Sequence, residues 1–131
     1  MAKVTAHIGK ELYAVEIKSP GGNTLIADEP VADGGQNKGF SPTELLAASL
    51  AACTTATLRM YADRKGWDLP EVDTDITLER DEAANKTVIN RAIHLKGNLD
   101  ETQRARLLQI ANSCPIHKML SNPIEINTQM V

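Results

Sequence analysis

An α+β fold is expected for this chain, and three observations carry that expectation. Residues 12–18, 71–81 and 86–96 alternate along the backbone with period two, as half-buried strands do. Residues 41–65 open on a capped helix start and continue through good helix formers. Placed in order, the runs read βββ-α-ββ-α-α-β, an α+β domain whose longest helix needs an extended sheet to cover it.

The first strand is "KVTAHI" at residues 3–8. In "LYAVEIK" at 12–18, Tyr13, Val15 and Ile17 share one face, with Leu12, Ala14, Glu16 and Lys18 on the other. "SPGGN" at 19–23 is a turn and "TLIAD" at 24–28 a third strand, so the opening third is an antiparallel meander. "EPVADGGQNKGF" at 29–40 is rich in Pro, Gly, Asn and Asp and forms a long surface loop, a kind of segment that often carries function.

The loop leads into "SPTELLAASLAAC". Ser41 fits the N-cap, Pro42 the first helical position and Glu44 the third. Ser-x-x-Glu is a capping box, in which each side chain satisfies the other residue's backbone amide. Gly66 is placed to end the helix after Lys65. The span is roughly 24 residues, about 36 Å. Ser49, Cys53, Ala56, Thr57 and Met60 fall on one face.

In the next strand, Val72, Thr74, Ile76, Leu78 and Arg80 share a face; "DEAAN" at 81–85 turns the chain. The return strand puts Ile89, Arg91, Ile93 and Leu95 together. An arginine on that apolar face breaks the pattern, and the plain explanation is a packed stem with its head in water. Asn98 and Asp100 can cap a second helix through about Ala111, with Leu107, Leu108 and Ile110 among its apolar residues. Pro115 opens a short third helix, and "PIEINTQMV" at 123–131 reads as a last strand.

The chain has 131 residues, the size of one domain covering 1–131, and it can bury a core without disulfides or metal. Aromatics are only 3%, so the core must rest on aliphatic residues, and a second chain could supply missing buried area. Acidic residues (17) slightly outnumber basic ones (14) and no basic block stands out, which argues against a nucleic-acid partner. The N-terminal residues show no apolar signal region, and no apolar run is read as long enough to span a bilayer. A cytoplasmic protein with no membrane partner is expected. His7, His94 and His117 form no ligand spacing with each other, so no metal is expected.

The two cysteines, Cys53 and Cys114, are far apart in sequence and form no CxxC motif. Cys53 lies mid-helix among alanines, beyond reach of the helix dipole; locally it is a small core residue or a protected thiol. Cys114 fits the N-cap before Pro115, where backbone amides favour a thiolate, and His117 lies within side-chain reach if the turn is helical. It is a reactive thiol or a small cap with His117 on the surface. A thiol pair on two helices is consistent with peroxide cleavage through a sulfenic acid and a disulfide.

"GGQNKGFSPTELLAASLAACTTATL", followed much later by "SCPIHKML", resembles the OsmC/Ohr superfamily of osmotically inducible protein C and organic hydroperoxide resistance proteins. The resemblance rests on the Ser-Pro helix leading to Cys53 and on the later Cys114-Pro115, and it covers nearly the whole chain in element order. It implies an intertwined homodimer with active sites at the subunit interface. It implies Cys53 as the peroxidatic cysteine and Cys114 as the resolving one. It also implies reduction of organic hydroperoxides or hydrogen peroxide by a thiol or dithiol electron donor, without metal, haem or other cofactor.

Two departures stand out. Family peroxidases place a glutamate directly after the proline and pair it with an arginine from the N-terminal sheet region; here Thr43 follows Pro42, and no arginine precedes Arg59. Glu44 comes one position later and is explained by its capping role. Lysine, the only upstream cation type, lacks the planar fork that clamps a carboxylate and a peroxide together. Support for the Cys53 thiolate would then come from Arg91, Arg80 or His117. The leading expectation is a thiol-dependent hydroperoxide reductase or a related thiol-redox protein. The alternatives are a non-catalytic module holding a small apolar ligand at a dimer interface, and a redox sensor.

Overall fold

The alternation at the start of the chain does produce a meander. In a computed structural model describing residues 1–131, β1 (Thr5–His7), β2 (Val15–Lys18) and β3 (Thr24–Ala27) form a three-stranded antiparallel sheet in that order. Val15 pairs with Ala27 and Ile17 with Leu25. The strands are shorter than the expected 3–8, 12–18 and 24–28, because the flanking residues leave the ladder for the loop that follows. This sheet and its loop belong to one unit, Met1–Leu46; the remainder, Ala47–Val131, forms a second.

Asp28 shows why β3 stops. It is only 2% exposed, and its carboxylate accepts from the backbone amides of Tyr13 (3.2 Å), Glu29 (2.7 Å), Gln36 (3.3 Å) and Lys38 (3.0 Å). Loop 29–40 is thereby wound around one buried anion, and its single 3-10 turn spans Val31–Asp33. The loop returns beside β3, where the Asp28 amide donates to the Phe40 carbonyl at 3.0 Å. A Cβ at Gly39 would collide with the Ile26 carbonyl oxygen, so only glycine permits this approach. Burial by itself would raise the Asp28 carboxyl, but the four amides outweigh it and hold the group below its ordinary value.

The long helix, α1 (Pro42–Lys65), begins in the first unit and runs through the second with the expected 24 residues. Its capping box is formed: the Ser41 amide donates to Glu44 Oε1 at 2.9 Å, and the Glu44 amide to Ser41 Oγ at 3.2 Å. The Ser41 amide is the main reason the Glu44 carboxyl lies below its usual value. Gly66, at φ 70°, closes the helix; its amide reaches Asp63 and that of Trp67 reaches Ala62, the double bond of a Schellman end.

The buried stripe of α1 is Leu50, Thr54, Leu58 and Ala62 at i, i+4 spacing. Cys53 and Thr57, on the face read from sequence, flank that stripe half-buried, while Met60 is 53% exposed. Leu58 and Ala62 of that stripe seat in the core. The expectation that no run could span a bilayer is corrected on length: α1 is long and apolar enough by composition. Core helices pass the same test on length and composition alone, and α1 buries one stripe of four residues.

In the second unit β4 (Glu71–Asp81) and β5 (Lys86–Lys96) pair along their full lengths, with Val72 opposite Leu95, Thr74 opposite Ile93, Ile76 opposite Arg91 and Leu78 opposite Ile89. α2 (Glu101–Ala111) starts at an Asp100–Gln103 capping box, and α3 (Pro115–Leu120) starts at Cys114. Leu58, Ala62, Leu69, Leu107 and Ala111 form the core, with Val72, Ile93 and Leu95 packed on it from the hairpin.

The strand expected at 123–131 is absent. Alternating apolar residues make a strand only when another edge accepts the backbone hydrogen bonds. None does here, and Ile124 (64%) and Ile126 (83%) are exposed.

Leu107, 1% exposed, and Leu108, 58% exposed, are adjacent on α2 and give the core face a direct check. Leu107→Ala is expected to lower unfolding free energy by about 2–5 kcal/mol and Leu108→Ala by under about 1 kcal/mol. Urea denaturation measures both, and equal losses would place the core face wrongly. Because the Asp28 carboxyl is depressed, its contribution is present above the unfolded carboxylate's 3.8 and is lost as pH falls through the lower folded value. The NMR amide shifts of Gln36 and Lys38 should stay constant down to about that pH and move only below it.

Candidate active site

Cys114 is the N-cap of α3, and the extended backbone there (φ −64°, ψ 146°) turns its sulfur back over the first turn, as the Cys-Pro pair suggested. Its Sγ accepts from the His117 amide at 3.4 Å. The residue is fully buried, whereas Cys53 is half-buried; both thiols are free. Cys53 is among the groups that act on the Cys114 thiol, so the fold brings the two cysteines near one another. Thr57 lies 3.9 Å from Cys53 Sγ, and Thr54, fully buried, lies 3.9 Å from Cys114 Sγ.

Arg91 resolves the anomaly in the β5 pattern. Its guanidinium donates to Thr54 Oγ1 (3.0 Å) and Asn112 Oδ1 (2.9 Å) and meets His117 Nδ1 at 3.1 Å. The head is held by protein acceptors and is not simply snorkelled to water. Arginine has only donors, so His117 Nδ1 must accept and the ring carries its proton on Nε2. Arg91 and His117 thus meet beside Cys114. Arg80 does not join them: it donates to Thr87 and Asn85 near the hairpin turn. Sequence patterns did not point to Thr54 or Asn112. Thr54's place beside Cys53 was visible, but nothing local says that Arg91 reaches it.

Burial alone would push the Cys114 thiol up. The His117 amide, Cys53, Thr54 and the Arg91 charge together outweigh burial and hold it below the ordinary cysteine value. The Arg91 charge thus acts on Cys114, whereas the sequence reading looked to it as support for Cys53.

Two cavities of about 330 Å³ adjoin this network. Arg91 and His117 form the polar part of one, with Leu50, Ile89 and Leu120 as apolar wall. Thr57, the neighbour of Cys53, lines the other together with Met60, Ile110 and Pro115. No group of three or more His, Cys, Asp or Glu residues is arranged to hold a metal ion.

The family model for OsmC-like protein matches residues 35–129, which hold the α1 capping box, both cysteines and Arg91. The chain belongs to the OsmC-like family. Solved OsmC-like structures share its α+β fold. An osmotic stress induced and detoxification response protein from Psychrobacter arcticus 273-4 superposes with a TM-score of 0.79 at 25% identity, over 91% of this chain and 88% of that one. An OsmC-like protein from Mycoplasma pneumoniae gives 0.78 at 22% identity, over 92% and 86%. The organic hydroperoxide resistance protein OhrB of Bacillus subtilis gives 0.63 at 28% identity, over 92% and 90%. No curated protein matches the sequence.

In this OsmC-like protein, Arg91→Met should move the Cys114 titration upward, toward the ordinary thiol value. The check is ultraviolet thiolate absorbance against pH in a Cys53→Ser background; an unmoved curve would remove Arg91 from the site's electrostatics.

Proposed function

We propose that this OsmC-like protein is a cysteine-dependent hydroperoxide reductase serving peroxide defence. The observation that carries the reading is the pair itself: a half-exposed thiol beside a fully buried thiol whose surroundings favour the thiolate. The family, and the 28% identity to an organic hydroperoxide resistance protein, support it.

Cys53, the more exposed sulfur, is the peroxidatic residue. Its thiolate attacks the terminal oxygen of a hydroperoxide; the O–O bond breaks, the alkoxide takes a proton and leaves as alcohol, and Cys53 becomes a sulfenic acid. Cys114 resolves it. Its thiolate attacks the Cys53 sulfur, the S–S bond forms, and hydroxide leaves and is protonated to water. A dithiol donor reopens the disulfide by two exchanges and departs oxidised. The apolar cavity walls suit an organic peroxide.

The working unit in this reading is the whole chain, 1–131, as one OsmC-like domain in a cytoplasmic homodimer. Exposed Phe40 (56%), Met60 (53%), Ile124 (64%) and Ile126 (83%) are the side chains a second copy would cover. No nucleic-acid or membrane partner is assigned.

A second reading has one observation in its favour: Glu44 is committed to the Ser41 cap, so the glutamate of the family's clamp is not supplied from that position. The protein would then hold a small apolar ligand and do no chemistry.

Peroxide-dependent oxidation of a small dithiol separates them. Wild type should turn over, Cys53→Ser should fall to the uncatalysed rate, and Cys114→Ser should stop at a Cys53 sulfenic acid trapped by dimedone. Turnover that survives Cys53→Ser defeats the peroxidase reading. Light scattering on the same preparation should give the mass of two chains.

A further inference from the structure

Thr54 has an unusual position for a helix threonine. Its neighbour Thr55 bonds the Ala51 carbonyl oxygen one turn back (2.8 Å) and the Thr74 hydroxyl (3.0 Å), so it is spent on structure. Thr54 instead faces Arg91 on one side and Cys114 on the other. Arg91 can only donate, so the Thr54 oxygen must accept. The Thr54 hydroxyl hydrogen is then free to point at the remaining neighbour, Cys114 Sγ, 3.9 Å away. Thr54 and Cys114 are both fully buried, so water does not compete for either.

We propose that Thr54 is a positioning residue for the resolving step: clamped by Arg91, it donates its hydroxyl to Cys114 Sγ and keeps that sulfur ready to close the disulfide with Cys53. The proposal rests on the peroxidase reading for the step it serves, though not for the hydrogen bond itself. The arginine acts through the hydroxyl, and the His117 amide supplies the second donor to the same sulfur at 3.4 Å. Both donors strengthen as the sulfur takes on charge. The step gains no oxidant: the Cys114 thiolate displaces hydroxide from the Cys53 sulfenic acid, the S–S bond forms, and the hydroxide is protonated to water.

The arrangement separates two tasks. Cys53 meets peroxide from a half-exposed position. Cys114 is fully buried, so its sulfur is shielded from wasteful oxidation by peroxide in solution. Fast closure in turn shields the Cys53 sulfenic acid from further, irreversible oxidation.

Thr54→Val keeps the shape and removes the hydroxyl; Thr54→Ser restores it. One arm needs no peroxide. In a Cys53→Ser background, Thr54→Val should raise the Cys114 titration and Thr54→Ser should leave it near wild type, read by thiolate absorbance against pH. The second arm uses tert-butyl hydroperoxide with the intact cysteine pair, following Cys53 sulfenic acid by dimedone trapping and disulfide by mass. Thr54→Val should slow closure at neutral pH by roughly tenfold or more and let the sulfenic acid accumulate, with the rate recovering at alkaline pH. Formation of the sulfenic acid should be unaffected. An unshifted titration, or a closure profile that keeps the wild-type pH dependence, overturns the proposal. A shifted titration, with peroxide giving neither the disulfide in wild type nor a Cys53 sulfenic acid in Cys114→Ser, supports the hydrogen bond and overturns the peroxidase reading.

Discussion

The guanidinium of Arg91 ties the second unit together at the end that carries the two cysteines. One planar cation on β5 bonds Thr54 of α1, Asn112 at the C-cap of α2 and His117 of α3. A fork with five donors in fixed directions can serve three acceptors from three elements; lysine's single ammonium cannot do so with the same geometry. The apolar core of Leu58, Ala62, Leu69, Leu107 and Ala111 positions the elements in bulk, but it is non-directional. The arginine bonds are directional and lie beside the sulfurs.

The same constraint explains how a buried cysteine can be held toward its thiolate form. A thiol taken out of water is ordinarily driven to its neutral form. Cys114 escapes because its surroundings are supplied with donors: a backbone amide from its own helix turn, a hydroxyl and a neighbouring thiol, with a positive charge behind them. Cys53 is built differently. It belongs to the flank of α1, next to Thr57 and a cavity with apolar walls. The two sulfurs thus have unequal environments, which is what the proposed division between first attack and closure requires.

Much of this was legible in order along the chain. The period-two alternation put Arg91 on the inward face of β5, and its discord with Ile89, Ile93 and Leu95 singled the residue out by pattern alone. Ser41 and Glu44 announced a capping box and thereby removed Glu44 from the catalytic candidates. The pattern failed at 123–131, where alternation indicated a strand that finds no ladder partner. It was silent on the seat of α1: it grouped Ser49, Cys53, Ala56, Thr57 and Met60 on one face, while the buried stripe is Leu50, Thr54, Leu58 and Ala62. Helical spacing alone offers several stripes, and packing against the rest of the unit decides which one is buried.

By itself the sequence determined the elements, their caps and the identity of the two thiols, because these depend on interactions within a few residues. Ser41 sees Glu44, Asp100 sees Gln103 and Cys114 sees the His117 amide in any setting where the turn forms. Only the tertiary structure decided that Arg91 reaches Thr54, Asn112 and His117, and that Cys114, rather than Cys53, is the sulfur surrounded by donors. Those meetings join residues far apart in the chain. They depend on how β5, α1 and α3 pack, and packing is set by the summed burial of many side chains rather than by any local pattern.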